Sequence, residues 1–373
     1  MKRRNFINYA TTGAIGATAL GACQQQTAIS TTAASLDLPV IRWRMATSWP
    51  KSLQILYESA DLLCRTVSKM TDGRFAITPY PAGELADGLK VLDAVADGTA
   101  ECGHSASYYY LDRGPAMAFG TTIPFGLTAI QQNAWLYYGG GLEMMRKLYA
   151  DLDLGVINFP GGNTGAQMGG WFKREVNAIE DFQGLKMRVP GLGGQILERL
   201  GAEIQVLPGD KIFEALEKGL IDAAEWKNPH ADEMLGLNRV APLYYYPGWW
   251  EPGTSYEFQV NLSQWQTLPK EYQEIFQATA TNVNAKMLAK FNAVNGKELE
   301  HMVLGGTQLL PFSREILTAT YKTAFELYEE IASGDATFKK IYDSWKVFRD
   351  RIYGWNQLNE LSFANFAIDL SGS

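Results

Sequence analysis

The chain has 373 residues, 46% of them apolar and 12% aromatic, enough to bury a large core and to build two domains. Its formal charge is −7 and no basic stripe or block of like charge stands out, which excludes nucleic acid as a partner. The three histidines and three cysteines form no visible metal-ligand pair or cluster.

Residues 1–22 read as an export signal. Arg3 and Arg4 precede Asn5, Phe6 and Ile7, then comes a mildly apolar run too short to cross a bilayer. "RRNFI" has the form of a twin-arginine signal, and "LGAC" has that of a lipobox in which Cys23 is lipidated after cleavage. Loss of Lys2, Arg3 and Arg4 with the leader takes the formal charge from −7 to −10. Residues 23–37, polar and small, read as a tether between the lipidated Cys23 and the folded body.

From Ile41 strands and helices alternate. "IRWRMAT", "SLQILYESADLLCRTVSKM", "RFAITPY", "GLKVLDAVADG" and "AECGHSAS" make a βαβαβ unit, the signature of a parallel sheet. "LKMRVP", "GGQILERLG", "AEIQVLP", "DKIFEALEKG" and "LIDAAEW" repeat that order, so the chain reads as two similar α/β lobes. The expected limits are 38–158 plus about 257–300 for lobe I, and 159–256 plus about 301–340 for lobe II. Cys64 on a helix and Cys102 in a strand read as two separately buried thiols.

In open parallel sheets, ligands bind beyond the carboxyl ends of the strands. Those ends are Ser48 and Trp49, then Ser105 to Tyr109, in the first lobe, and Arg188, then Glu225 and Trp226, in the second. All are expected at one central cleft. Arg188 ends an otherwise apolar strand before Pro190 and a run of glycines. A buried guanidinium needs an anion, either an internal acid or a ligand carboxylate. The glycine-rich "PGGNTGAQMGGWF" carries Asn163 and Gln167, and "YYYPGWWEPGT" carries Glu251 as its one acid. An acid among Trp249, Trp250 and Pro252 needs a cation or a proton. His104, in a strand, reads as a hydrogen-bonded core residue.

Residues 264–373 are largely helical. The last stretch spaces Ile341, Trp345, Phe348, Ile352, Trp355 and Leu358 by three or four, an apolar stripe that needs a partner surface. Residues 341–373 are therefore expected to form a C-terminal dimerisation helix, with 341–366 in the interface of a homodimer.

The order "ATSWP", "DAVADGTAECGHSASYY", "GGNTGAQMGGWF", "LKMRVPGLGG", "IDAAEW" and "YYYPGWWEPG" resembles the DctP-like solute-binding receptors of tripartite ATP-independent periplasmic (TRAP) transporters. It is most similar to the branch that binds 2-oxo acids and lactate with a metal ion. The resemblance implies a two-lobed periplasmic-binding-protein fold with parallel-type sheets, a central cleft and long C-terminal helices. It implies a periplasmic receptor for a small monocarboxylate such as pyruvate or lactate, a TRAP permease as membrane partner, and a homodimer. Arg188 would hold the ligand carboxylate, with Gln167, Asn163, Trp226, Tyr109 and Trp49 lining the ligand. Gln167, Glu225, the Trp226 carbonyl and Glu251 would surround Na⁺ or Ca²⁺, which hard oxygen donors suit. Lys227, Asn228 and His230, in the "WKNPH" that follows Glu225, fall near the mouth of the cleft, with no contact to ligand implied. The alternatives are a receptor for another organic acid, or an exported enzyme acting on a small carboxylic acid. Against the enzyme, no nucleophile elbow, histidine metal pair or phosphate-cradling loop is visible.

Overall fold

The computed structural model describes residues 38–371. The leader, the tether and Cys23 lie outside the described residues. The first sheet is built from β1 (Ile41–Thr47), β2 (Phe75–Tyr80), β3 (Cys102–Ser105), β4 (Val156–Asn163) and, after an excursion, β10 (Ser255–Asn261). The second takes β5 (Trp171–Phe172), β6 (Lys186–Arg188), β7 (Glu203–Gln205), β8 (Ala223–Ala224), β9 (Leu243–Tyr246) and β11 (Gln308–Pro311).

The strand orders, β2-β1-β3-β10-β4 and β11-β9-β5-β8-β6-β7, repeat one plan. In each, the first strand of the βαβαβ unit lies between the other two and parallel to both. The expectation of parallel-type sheets holds for those three strands. Next to each trio, however, runs an antiparallel strand, β10 beside β3 and β5 beside β8. Each directly adjoins one of the two non-helical segments by which the chain passes between sheets, the third passage being the long helix after β10, so each of these two crossings is stitched into the sheet it enters. β4 and β10 pair from Val156–Asn261 through to Asn163–Ser255. The crossings therefore lie near 164–170 and 247–254, a few residues inside the limits expected from sequence.

Helix α1 (Gln54–Met70) buries Ile55, Leu56, Ala60, Leu63, Cys64 and Val67, the inward face of a 3.6-residue repeat, and stops at Gly73, whose φ of 73° suits glycine. Cys64 and Cys102 are free and buried. Helices α2 (Val91–Ala96), α3 (Gly191–Arg199) and α4 (Gly209–Glu217) are the remaining crossovers of the two units, and α5 (Pro229–Leu235) follows β8. Helix α6 (Lys270–Leu304) spans both halves. Its Phe276 packs on Phe159 and Phe258 of the first sheet, and Lys290 bridges to Glu58 of α1 at 2.6 Å. Further along, Asn295 Oδ1 accepts the His230 N–H of α5 at 3.2 Å.

After α7 (Arg314–Gly334) the final stripe divides. In α8 (Ala336–Leu358), Phe338, Ile341, Tyr342 and Trp345 are buried in their own fold, the Phe338 and Trp345 rings lying 5.1 and 5.9 Å from Phe119. The expectation that 341–366 faces a second subunit is corrected here: Ile341 and Trp345 complete the intramolecular core, while Phe348 and Ile352 pack partly against it. Of the stripe, Trp355 and Leu358 stand exposed, followed by Leu361, Phe363, Phe366, Ile368 and Leu370 of α9 (Glu360–Ser371); Val347 and Tyr353 of α8, off the stripe, are exposed as well.

Candidate functional site

β6 delivers Arg188 into the interior with its side chain fully buried. Its Nε donates to the Leu207 carbonyl at 3.1 Å, and its Nη1 donates to both the Glu225 carbonyl (2.9 Å) and Glu225 Oε2 (2.6 Å). The internal acid that the sequence left open as a partner is thus present. It uses only half the fork: Arg188 Nη2 and Glu225 Oε1 are buried without a hydrogen-bond partner. The guanidinium carbon lies 5.0 Å from the centre of the Trp226 ring.

The two crossings form the opposite wall. Gln167 N–H donates to the Glu251 carbonyl and Gly248 N–H to the Gln167 carbonyl, both at 3.2 Å, while Met168 N–H donates to the Lys227 carbonyl at 3.0 Å. The approach requires glycine at 248, since a Cβ there would stand 2.4 Å from the Gln167 carbonyl oxygen. Pinned this way, Gln167 Nε2 donates to Glu251 Oε2 (2.5 Å) and Thr254 Oγ1 (2.9 Å), and Thr254 Oγ1 donates to Glu251 Oε2 (2.6 Å). Gln167 Oε1 is left buried and unpartnered.

A second cation, Lys227, expected from sequence only near the mouth of the cleft, is buried within the site. Its Nζ donates to the Tyr108 hydroxyl at 3.2 Å and lies 4.7, 5.5 and 5.8 Å from the ring centres of Trp226, Tyr256 and Tyr108. A lysine two positions after a strand-end acid carries no periodic signal of this. Its pKa is raised: burial pulls it down, but Tyr256, Tyr109, Glu251 and Glu225 more than offset that. Arg188 behaves alike, burial opposed by Glu225 and the neighbouring phenols and Glu251. Burial pushes the Glu225 carboxyl well up, and repulsion from Glu251 adds to it. Burial raises Glu251 as well, against Lys227, Thr254 and Arg188.

Of the remaining expected residues, Trp49 is fully buried, donates its Nε1–H to His104 Nδ1 at 2.9 Å and stands edge-on to Tyr256 at 4.9 Å. His104 is the core residue anticipated, its pKa pushed down to about 3 by burial. Tyr109 lies against Tyr108 (4.8 Å) and lines an open cleft of 430 Å³ with Pro190, Gly191 and Gln195. Asn163 comes no nearer than the edge of the cluster: its Nδ2 donates to Ser255 Oγ at 2.9 Å and its Oδ1 accepts Gly165 N–H at 2.7 Å, which occupies both ends of the amide. Asn228 also lies at that edge, with Nδ2 donating to the Thr164 carbonyl at 2.9 Å and Oδ1 free.

The donor set fits a hard cation. Glu225 and Glu251 repel each other, Gln167 Oε1 and Glu225 Oε1 are oxygens without donors, and such oxygens are what Ca²⁺ or Na⁺ takes. It equally fits a carboxylate, because Arg188 Nη2 and the Tyr256 hydroxyl are unpartnered.

Asp232, beneath the site, accepts Trp171 Nε1–H, Tyr244 O–H and Lys227 N–H, yet burial raises its pKa from 3.8 to about 6. An acid with a raised folded pKa binds its proton more tightly in the native state, so stability falls as pH rises through that window. Metal- and ligand-free protein is expected to melt at higher temperature at pH 5 than at pH 8, Asp232 contributing on the order of 1 kcal/mol between those two values. A flat melting profile between those pH values would contradict this.

Residues 45–335 match the family of bacterial extracellular solute-binding proteins, family 7, called DctP. A monocarboxylate 2-oxoacid-binding periplasmic protein from Nostoc sp. is 54% identical over 367 residues, covering 98% of this chain and 99% of its own. A TRAP transporter solute-binding protein from Bordetella bronchiseptica, a mixed-occupancy dimer with copurified calcium and picolinate in one site, superposes with a TM-score of 0.88 at 43% identity, covering 90% of this chain and 99% of its own. Receptors from Colwellia psychrerythraea, with calcium and pyruvate, and Pseudoalteromonas atlantica, with sodium and pyruvate, each give 0.84 at 36%, covering 87% of this chain and 98% of theirs.

Proposed function

Because the chain belongs to the DctP family of TRAP solute-binding proteins, we propose that its buried cluster captures a small 2-oxo or 2-hydroxy monocarboxylate with Ca²⁺ or Na⁺. The observation that carries this reading is the pairing, within one sealed cluster, of two donor-free oxygens with an acceptor-free guanidinium nitrogen. In this reading Arg188 Nη2 binds the ligand carboxylate. Gln167 Oε1, the carboxylates of Glu225 and Glu251 and the Trp226 carbonyl would hold the cation, which would supply the positive charge that lets an anionic ligand share a pocket with two acids. Trp49 and Tyr109 line the pocket, and Asn163 shapes the crossing from which Gln167 projects. Lys227 balances the paired acids.

Capture proceeds by closure. The crossings at 164–170 and 247–254 act as the hinge, and bringing the lobes together excludes water and strengthens the pairing of Arg188 with the carboxylate. The closed form is what the TRAP permease reads. The chain acts as an extracytoplasmic receptor with no catalytic residue, exported by its twin-arginine leader and held to the membrane through lipidated Cys23. Acid extraction of the purified protein followed by mass spectrometry is expected to release a 2-oxo or 2-hydroxy monocarboxylate. Finding none, together with no calorimetric response to any such acid, would overturn the reading.

The homodimer belongs to the same reading, formed through Trp355, Leu358 and the apolar face of α9, whose Phe363 and Phe366 are 71% and 64% exposed. Truncation after Asn359 is expected to give a monomer by light scattering that still binds ligand. Truncation before Asp343 would instead remove Trp345 from the core, at a cost of about 3–5 kcal/mol for the tryptophan alone. A monomeric full-length protein at micromolar concentration would rule the dimer out.

A further inference from the structure

His230 and His301, unrelated in sequence, meet where α5 crosses α6. Helix α5 carries His230 and Glu233, and α6 carries Glu298 and His301, both at an i, i+3 spacing, so each helix presents one imidazole and one carboxylate. His301 Nδ1 lies 2.8 Å from Glu233 Oε1, and His230 Nδ1 lies 3.7 Å from Glu298 Oε1. Glu233, Glu298 and His301 each offer a ligand atom within 4.8 Å of the others.

Two features ask for a cation there. Glu233 and Glu298 bring a carboxylate oxygen each to within 4.8 Å of one another and of His301, and two carboxylates that close repel unless a proton or a metal ion lies between them. Both ring nitrogens of His230 are screened from solvent without a hydrogen-bond partner, Glu298 Oε1 standing off at 3.7 Å.

We propose that His230, Glu233, Glu298 and His301 form a binding site for a divalent transition-metal ion of the zinc class that bridges α5 to α6. Two imidazoles and two carboxylates suit zinc: Glu233, Glu298 and His301 already stand within 4.8 Å of one another, and His230 Nδ1, 3.7 Å from Glu298 Oε1, would swing in as the fourth ligand. The His301 side chain is 73% exposed, which gives the ion an entry path. The site differs in kind from the all-oxygen cluster around Glu225 and Glu251. Its consequence is mechanical. Helix α5 follows directly on Glu225 to Asn228, so the ion fixes the last turns of α6 onto the helix that adjoins the ligand site.

The test is a titration of untagged, metal-stripped protein with Zn²⁺ by calorimetry and with Co²⁺ by visible absorption. It is run in a Glu251→Gln background so that the carboxylate site does not contribute. One ion per chain is expected, with the intense visible bands of tetrahedral Co²⁺ and a rise in melting temperature. In His301→Ala and in Glu298→Gln, both surface changes whose folding circular dichroism checks, affinity should fall on the order of 10–100-fold or more, and the thermal shift should disappear. Absence of Zn²⁺ binding in the parent would mean that a proton alone sits between the glutamates. Unchanged affinity in both variants would mean that the ion binds elsewhere. Either result overturns the proposal, and neither bears on capture of the carboxylate.

Discussion

Arg188→Ala is expected to abolish measurable binding of 2-oxo acids and to destabilise the ligand-free protein. The guanidinium is fully buried against Glu225 at 2.6 Å, so its removal strands a buried carboxylate already pressed by Glu251. Breaking such a pair from one side costs about 3–5 kcal/mol of stability. Loss of the charge-assisted contact to a ligand carboxylate costs about 2–5 kcal/mol of binding, on the order of 30-fold to several thousandfold. The two effects separate in the double variant Arg188→Ala, Glu225→Gln, which relieves the stranded charge. Its melting temperature should recover part of the loss while binding does not return. Arg188→Lys should restore little, because three N–H groups on a single nitrogen cannot replace a planar fork that reaches the Leu207 carbonyl, the Glu225 carbonyl and carboxylate, and a ligand carboxylate together. Near-normal calorimetric affinity in folded Arg188→Ala and Arg188→Lys would return the residue to a purely structural role.

Glu251→Gln carries the second large effect. The side chain keeps its volume but loses the charge, and its Oε2, which accepts both Gln167 Nε2–H and Thr254 O–H, becomes in part a donor facing donors. The buried charge balance then tilts toward Arg188 and Lys227, and a cation loses one of its carboxylates. Ligand affinity should fall on the order of a hundredfold or more and should no longer respond to added Ca²⁺ or Na⁺. Thermal stability should change far less, because burial already disfavours the ionised form of Glu251 in the ligand-free state. A Glu251→Gln protein with intact, cation-responsive binding would remove Glu251 from the cation site.

Much of this arrangement was legible in the sequence because strand ends are. Arg188, Glu225, Trp226 and Trp49 each close a strand of a βαβαβ unit, and the topology of parallel sheets carries such positions to one place. Gln167 and Glu251 were visible as polar residues stranded in glycine-rich and aromatic segments. The antiparallel strands were not: β5 is two residues long, and β10 owes its direction to a chain crossing that no local pattern encodes. Lys227 escaped because nothing near it in sequence signals the phenols of Tyr108 and Tyr256 that enclose it. Asn163 read as a ligand group because of its surroundings, yet its amide is spent on Ser255 and Gly165. The terminal stripe was read whole because periodicity marks an apolar face without saying what covers it. Phe119 covers Trp345, and no described residue covers Phe363 in that way.

The central claim is that a carboxylate and a cation are captured together by one buried cluster, and calorimetric titration of the chelator-treated, sodium-free protein with pyruvate tests it most directly. Pyruvate should give weak or no heat alone and tight, stoichiometric binding once Ca²⁺ or Na⁺ is supplied, with the affinity for either component rising by the same factor in the presence of the other. Pyruvate binding of equal strength with and without the cation, or cation binding indifferent to pyruvate, would contradict it.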